Sequence, residues 1–254
     1  MKEELNIHGA RWNSAHDGYF SDPAIALPFL EAVSRRIADA KPDVVADLGG
    51  GTGFILTELS KRHAPSAVRY VNVDVSVSQL SECKDEKIRS LNCCVTQVRR
   101  DALVKDDRSV MLIMRSVLHY LGRDGAAPFL AHLRAQMKPG EMMIHQTACF
   151  ESRQEAECAN RLYALMRTPK WYPVVEALHR TLKATGWQVV DCQPAPGLRL
   201  KSPDLAERYA LSAADLAQIR RELGSKNEVP EVFTTDGPDF TAFLHYRIFT
   251  CKAM

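Results

Sequence analysis

Long apolar runs are missing from this chain of 254 residues. The densest, Val110 to Met114, falls far short of the roughly 20 residues that a membrane-crossing helix needs. No membrane partner is expected. An excess of one charge is also missing: 33 Lys and Arg face 31 Asp and Glu, a formal charge of +2. No basic stripe with interleaved aromatics stands out, so nothing favours a nucleic-acid partner. Aromatic residues are few, 7% of the chain. Cysteine is not arranged for cross-linking. The seven cysteines are odd in number, none form C-x-x-C, and Cys93 and Cys94 are neighbours. That pattern reads as reduced thiols in a cytoplasmic protein. The start, Met1 to Asn6, lacks the apolar core of a secretion signal, in keeping with a cytoplasmic location. No two histidines stand at i and i+4, and no Cys/His cluster has metal spacing, so no metal is expected.

What is present is alternation. The length allows one large domain or two small ones. Asp43–Asp47, Val68–Asp74, Cys93–Val98, Ser109–Met114 and Met142–Thr147 read as five strands. Helical patterns separate them, among them Phe54–Arg62 and Phe129–Met137. Two more helices, Glu151–Met166 and Val174–Thr185, come next. Trp187–Cys192 and Phe243–Cys251 close the chain as a sixth and a seventh strand. Between them Pro194–Gly197 opens an excursion, and Ser212-Ala-Ala-Asp215 resembles a helix-starting capping box. Strands alternating with helices argue for a doubly wound α/β fold with a parallel sheet.

The most informative segment is Asp47-Leu-Gly-Gly-Gly-Thr-Gly53. It comes after the first strand and opens a helix. Gly49, Gly51 and Gly53 let the backbone turn sharply and approach a ligand. A helix N-terminus offers unpaired N–H groups. In open α/β sheets the ligand crevice lies beyond the carboxyl ends of the strands. Asp74 ends the second strand, at the distance where a carboxylate meets ribose hydroxyls. A dinucleotide loop of the form G-x-G-x-x-G/A would place Phe54 or Leu56 where a small residue is required. Asp47 would repel a pyrophosphate but suits a ligand carrying an ammonium and a sulfonium.

The run D-x-G-x-G-x-G resembles motif I of class I S-adenosylmethionine (SAM)-dependent methyltransferases. Arg100-Asp101-Ala102, the Leu112–Leu121 segment with Val-Leu-His119, and Met137-Lys-Pro-Gly140 resemble later stretches of that family. Glu141 stands where the family's turn has a second glycine. The likeness covers about Asp43 to Thr147, and the rest by strand order only. It implies a Rossmann-like seven-stranded sheet of order 3-2-1-4-5-7-6, with SAM as methyl donor and S-adenosylhomocysteine (SAH) as product. It implies one domain over 1–254: an N-terminal helical lid (1–40), a cofactor-binding core (41–150), and helical insertions at 151–186 and 197–240 capping a substrate. The cofactor residues it implies are Asp47, Gly49, Gly51, Gly53, Asp74, Asp101, Ala102 and Arg115.

Methyl transfer to a hydroxyl or a protonated amine is helped by a base. His119 after the fourth strand and His145 within the fifth are the candidates, with packing as the competing role for each. Arg115 can equally fix an anionic substrate. Tyr19, Phe20, Tyr120, Trp171 and Tyr172 are candidate pocket walls. The N-terminal aromatics, Trp12 and His16 included, either fold over the cofactor or staple the helix at Ala24–Ala40. The motif N/D-P-P-Y/F is missing after the fourth strand, where Arg115-Ser-Val-Leu stands, which argues against base methylation. The resulting expectation is methyl transfer to O or N of a small molecule. A non-catalytic SAM-binding regulator and an aminopropyltransferase are the alternatives. The oligomeric state is open, a homodimer being one option.

Overall fold

The structure, a computed structural model, describes residues 18–63, 68–224 and 229–254. Trp12, His16 and most of the expected N-terminal lid lie outside them. Among the described residues no helix is long and apolar enough to cross a membrane.

The first helix, α1 (Pro23–Ala40), starts where Asp22 accepts a hydrogen bond from the Ala24 N–H at 2.7 Å and Pro23 supplies a preset φ. Then come β1 (Val44–Leu48), α2 (Phe54–Ser60), β2 (Arg69–Asp74), the single turn α3 (Val77–Leu80) and β3 (Ile88–Asn92). A short α4 (Arg100–Leu103) leads to β4 (Val110–Arg115), α5 (Gly122–Ala135) and β5 (Met142–Ala148). The second half holds α6 (Arg153–Leu165), α7 (Val175–Ala184), β6 (Trp187–Lys201), α8 (Ser202–Tyr209), α9 (Ala213–Leu223), β7 (Phe233–Asp236) and β8 (Asp239–Ala253).

The sheet runs β3-β2-β1-β4-β5-β8-β6, with β7 paired to β8. β1 to β5 are parallel, and β8 enters antiparallel between β5 and β6. The expected order therefore holds, with one more strand than the seven expected. The addition, β7, is a four-residue strand inside the expected 197–240 insertion, and it turns back into β8.

β1 and β4 are buried along their whole length, which is why they read as apolar runs, broken only by the site residues Asp47 and Arg115. Alternate residues feed two cores. Val45, Met111, Ile113 and Ile144 pack under α1 and α2. Ala46, Leu112, Met114 and Met143 pack under α5 and α7, with Trp187. A third cluster lies beyond the parallel part of the sheet. There α6, α8, α9 and β7 cover the outer halves of β6 and β8, with Leu200, Leu205, Ile219, Phe233 and Leu244 inside.

Two expectations are corrected. The third strand is Ile88–Asn92, not Cys93–Val98. As an edge strand it buries only Ile88 fully, so its apolar signal is weak, and the richer Cys93–Val98 run turns back beneath the sheet. The sixth strand does not end at Cys192. It continues through Pro194–Gly197 to Lys201, with register shifts near Val189/Asp191 and Ala195/Leu198 that accommodate its prolines. The capping box at Ser212 and Asp215 is present.

Candidate functional site

The glycine loop leaves β1 at its carboxyl end. Gly49 and Gly51 have φ of 75° and 55°, values that side chains disfavour. Space adds a second constraint. A Cβ on Gly50 would sit 2.3 Å from Asn72 Oδ1 and 2.7 Å from Asp47 Oδ2. The loop is tied to β2 at three points. The Gly49 N–H donates to the Val73 carbonyl at 2.7 Å. Asn72 Nδ2 donates to the Gly51 carbonyl at 2.9 Å, and the Gly51 N–H donates to Asp74 Oδ2 at 2.9 Å. The second oxygen of Asp74 accepts from the Ser76 N–H at 2.8 Å. Asp74 is thus oriented by the backbone on both sides. Burial still raises its pKa, against the pull of these N–H groups.

Asp47 is different. It is 1% exposed, and neither carboxylate oxygen has a hydrogen-bond partner. Burial first, and then the nearby Asp74 charge, push its pKa up to about 7, with Arg115 opposing. A buried carboxylate without partners is costly. It becomes favourable when a cationic ligand arrives. That is the fit expected of the ammonium of an amino-acid ligand.

The two acids, the loop, Val75 and Gln79 form one wall of a pocket. Arg115, Ser116, Tyr120 and Phe20 also line it. Arg115 is 9% exposed and lies at the end of β4. Its two Nη groups donate to the carbonyls of Tyr19 and Phe20 at 3.1 and 3.3 Å, and its Nε is buried without a partner. Its guanidinium also lies 5.3 and 5.6 Å from the Tyr19 and Phe20 ring centres. Ser116, with φ of 62°, gives the chain a sharp bend between Arg115 and Val117.

The pocket thus gathers Asp47, Gly49, Gly51, Asp74, Arg115, Phe20 and Tyr120 from the expected set. Gly53 caps α2 just behind the loop. Tyr19 lies behind Arg115, its hydroxyl donating to the Pro196 carbonyl at 2.5 Å.

Other expected residues do not reach it. Asp101 is exposed and pairs with Arg99, and Ala102 accompanies it on α4. The cause is the position of the third strand. Directly after the true β3 come Cys93 to Val95, and it is Val95 that lines the pocket. His145 is fully buried among strands and stacks on Phe249 at 5.1 Å. Burial drops its pKa to about 3, so it holds no proton near neutrality. It shares the α5/α7 side with Met143 and is not on the pocket wall. His119 sits one layer back, between Tyr120 (4.1 Å between ring centres) and Tyr172 (5.4 Å). Tyr172 is core, against Tyr163 and Phe150. Trp171 is half-buried, its backbone N–H donating to the His119 carbonyl at 3.1 Å, and it does not line the pocket.

Sequence reasoning missed Asn72, Gln79 and Ser116. Only Asn72 left a signal, as a lone amide inside the apolar run of β2. Among the described residues no group of three or more His, Cys, Asp or Glu could hold a metal.

The placement of His145 carries a prediction. Its depressed pKa means that stability present above about 6.5 is lost as pH falls towards 3. His145→Phe should remove that loss, gaining about 2 kcal/mol over wild type at pH 5 relative to pH 8. Denaturant titrations at the two pH values measure this. Parallel losses in both proteins would contradict it.

An acidic, glycine-lined crevice at the carboxyl ends of a 3-2-1-4-5-8-6 sheet defines the class I SAM-dependent methyltransferase fold. Comparison with known proteins agrees. Residues 45–140 match the family model described as a methyltransferase domain. The chain is similar to the YcgJ protein from Bacillus subtilis at 14% identity and a TM-score of 0.67, covering 88% of this chain and 97% of that one. It is similar to 1,6-didemethyltoxoflavin-N1-methyltransferase from Burkholderia thailandensis, solved with its substrate and SAH. That match has 18% identity, a TM-score of 0.56 and coverage of 100% and 90%. A SAM-dependent methyltransferase from Geobacter sulfurreducens, solved with SAH, matches at 12% identity and a TM-score of 0.58, covering 100% and 98%. No curated protein matches the chain.

Proposed function

We propose that the protein is a SAM-dependent methyltransferase acting on O or N of a small molecule. The observation that carries this is Asp47, a buried carboxylate with no partner, facing a loop that only glycine can build. In this reading Asp47 takes the ammonium of SAM and Asp74 takes the ribose hydroxyls. Val75, Val95 and Leu121 give the adenine an apolar wall. Bound SAM supplies a methyl group already activated by its sulfonium. The chain's task is then to bind, orient and exclude water. Arg115 helps by tying the Tyr19–Phe20 segment across the pocket mouth. The segments at 151–186 and 197–240 are read as the cap over the acceptor. Neither His119 nor His145 lines the pocket, so a base is not the main device of this site.

The near-zero charge and absence of a basic stripe favour a small acceptor over nucleic acid. No observation favours the aminopropyl or regulator alternatives over methyl transfer.

The test is incubation with SAM and a panel of small-molecule acceptors, reading SAH formation. Wild type should form SAH with at least one acceptor class. Asp74→Ala should lower SAH affinity at least about tenfold, since hydrogen bonds to a charged group contribute about 1.5–3 kcal/mol. Equal affinities in the two proteins would remove Asp74 from the site.

A further inference from the structure

The acceptor side of the pocket has a composition of its own. The chain has seven tyrosines. Tyr120, within the Arg115–Leu121 segment, and five others gather where the sheet meets α6 and α8; the seventh, Tyr70, is on β2. Tyr19 and Tyr246 lie 5.6 Å apart between ring centres, Tyr163 and Tyr172 4.9 Å, Tyr163 and Tyr209 6.4 Å. Tyr246 is close enough to raise the pKa of both Tyr163 and Tyr172, which joins the two groups.

Three cations are threaded through these rings. Arg115 lies over Tyr19. Lys170, 6% exposed, places its Nζ 4.7, 5.6 and 5.3 Å from the ring centres of Tyr120, Tyr163 and Tyr209, and donates to the Tyr209 hydroxyl at 2.7 Å. Arg208 lies 5.4 Å from the Tyr209 ring centre and acts electrostatically on Tyr163 and Tyr246. Among the described residues the pocket's carboxylates are Asp47 and Asp74, on β1 and β2, and the Asp47 charge acts on Arg115. Tyr120 and Arg115 both line the pocket itself. Arg115 Nε is buried and has no hydrogen-bond partner.

We propose that this tyrosine–cation cluster, opening on the pocket through Phe20, Arg115 and Tyr120, selects a flat aromatic acceptor that carries a negative charge, a carboxylate or a phenolate. This rests on the methyltransferase reading and names its substrate class. Ring faces stack on Phe20 and Tyr120. The anion meets the positive field of Arg115, with Lys170 behind the Tyr120 ring. Such an acceptor also accounts for the missing base. An oxyanion already holds the electron pair that forms the new O–C bond, the C–S pair leaves with sulfur, and no proton has to be removed.

The experiment is calorimetric. The protein is first titrated with SAH. The SAH-saturated protein is then titrated with 4-hydroxybenzoate, its neutral analogue 4-hydroxybenzamide and its cationic analogue 4-hydroxybenzylamine. The benzoate should bind at least tenfold more tightly than either analogue. Lys170→Met should cut that preference at least fivefold while SAH affinity stays within twofold, which also shows that the variant folds. Arg208→Gln provides a second variant of the same prediction. Equal affinities for the three probes, no binding of the benzoate, or a preference unchanged in both variants would overturn the proposal while leaving the methyltransferase reading in place. No SAH binding in the first titration would overturn both.

Discussion

Asp47→Asn should bind SAH about 10- to 150-fold more weakly than wild type at pH 8, and yet unfold at a higher temperature without ligand. The two effects have one cause. In the folded apo protein the Asp47 carboxyl is buried with no partner, and its pKa rises to about 7. A carboxyl raised in this way contributes its full stability below the unfolded value near 3.8. That contribution is lost as pH climbs through 7. At pH 8 the cost is of order 4 kcal/mol at most. Asparagine has the same shape without the charge, so most of that cost disappears. A cationic ligand, by contrast, loses a charge-assisted hydrogen bond of about 1.5–3 kcal/mol, which sets the range in affinity. Thermal melts and SAH titrations on the same samples check both halves. A variant that is less stable and binds SAH normally would show Asp47 to be a structural residue only.

Glu141→Ala should lower the melting temperature by roughly 6–20 °C, far from the pocket. Glu141 is the residue that replaces a glycine in the resemblance, and the structure gives it a structural role. Its carboxylate accepts from Arg100 Nη1 and Nη2 at 2.7 and 2.8 Å. It also accepts from the Val110 N–H at 2.8 Å and the Lys138 N–H at 2.7 Å. The side chain is 8% exposed. One acid thereby joins α4, the start of β4 and the turn before β5. Removing one partner of a buried ion pair costs about 3–5 kcal/mol. In a domain of this size each kcal/mol corresponds to about 2–4 °C. Glu141→Gln keeps some of the acceptors and should fall between the two. SAH affinity should stay near the wild-type value in whatever fraction is folded. An unchanged melting temperature in Glu141→Ala would show that the network contributes nothing.

The parts of the site that are legible in sequence are those fixed by local chain geometry. Asp47, the glycines and Asp74 belong to a strand–loop–helix–strand unit whose spacing is set by element length, and Asp47, Gly49, Gly51 and Asp74 line one pocket. The misreadings arise where tertiary placement decides. Asp101 looks like a strand-end acid only if the third strand is placed five residues too late, and an exposed edge strand carries little apolar signal to prevent that. For His145 a single step of register separates the two faces of the sheet. Its position beside Phe249 depends on the pairing of β5 with β8, a contact across about two-fifths of the chain. Tyr172 resembles a pocket residue because it lies in a turn beside Pro173, and the covering helices turn that segment inward. The gathering of six tyrosines is not legible at all, since their spacing in sequence has no period.

The most direct test of Asp47 as the cofactor's anchor is a calorimetric titration of wild-type protein with SAH at pH 8 and at pH 6. Binding to the buried Asp47 requires its charged form. With a pKa of about 7 that form dominates at pH 8 and is a minority at pH 6. One SAH should bind per chain, with a Kd about tenfold weaker at pH 6 and no such change in Asp47→Asn. The same Kd at both pH values, or no SAH binding at either, would contradict it.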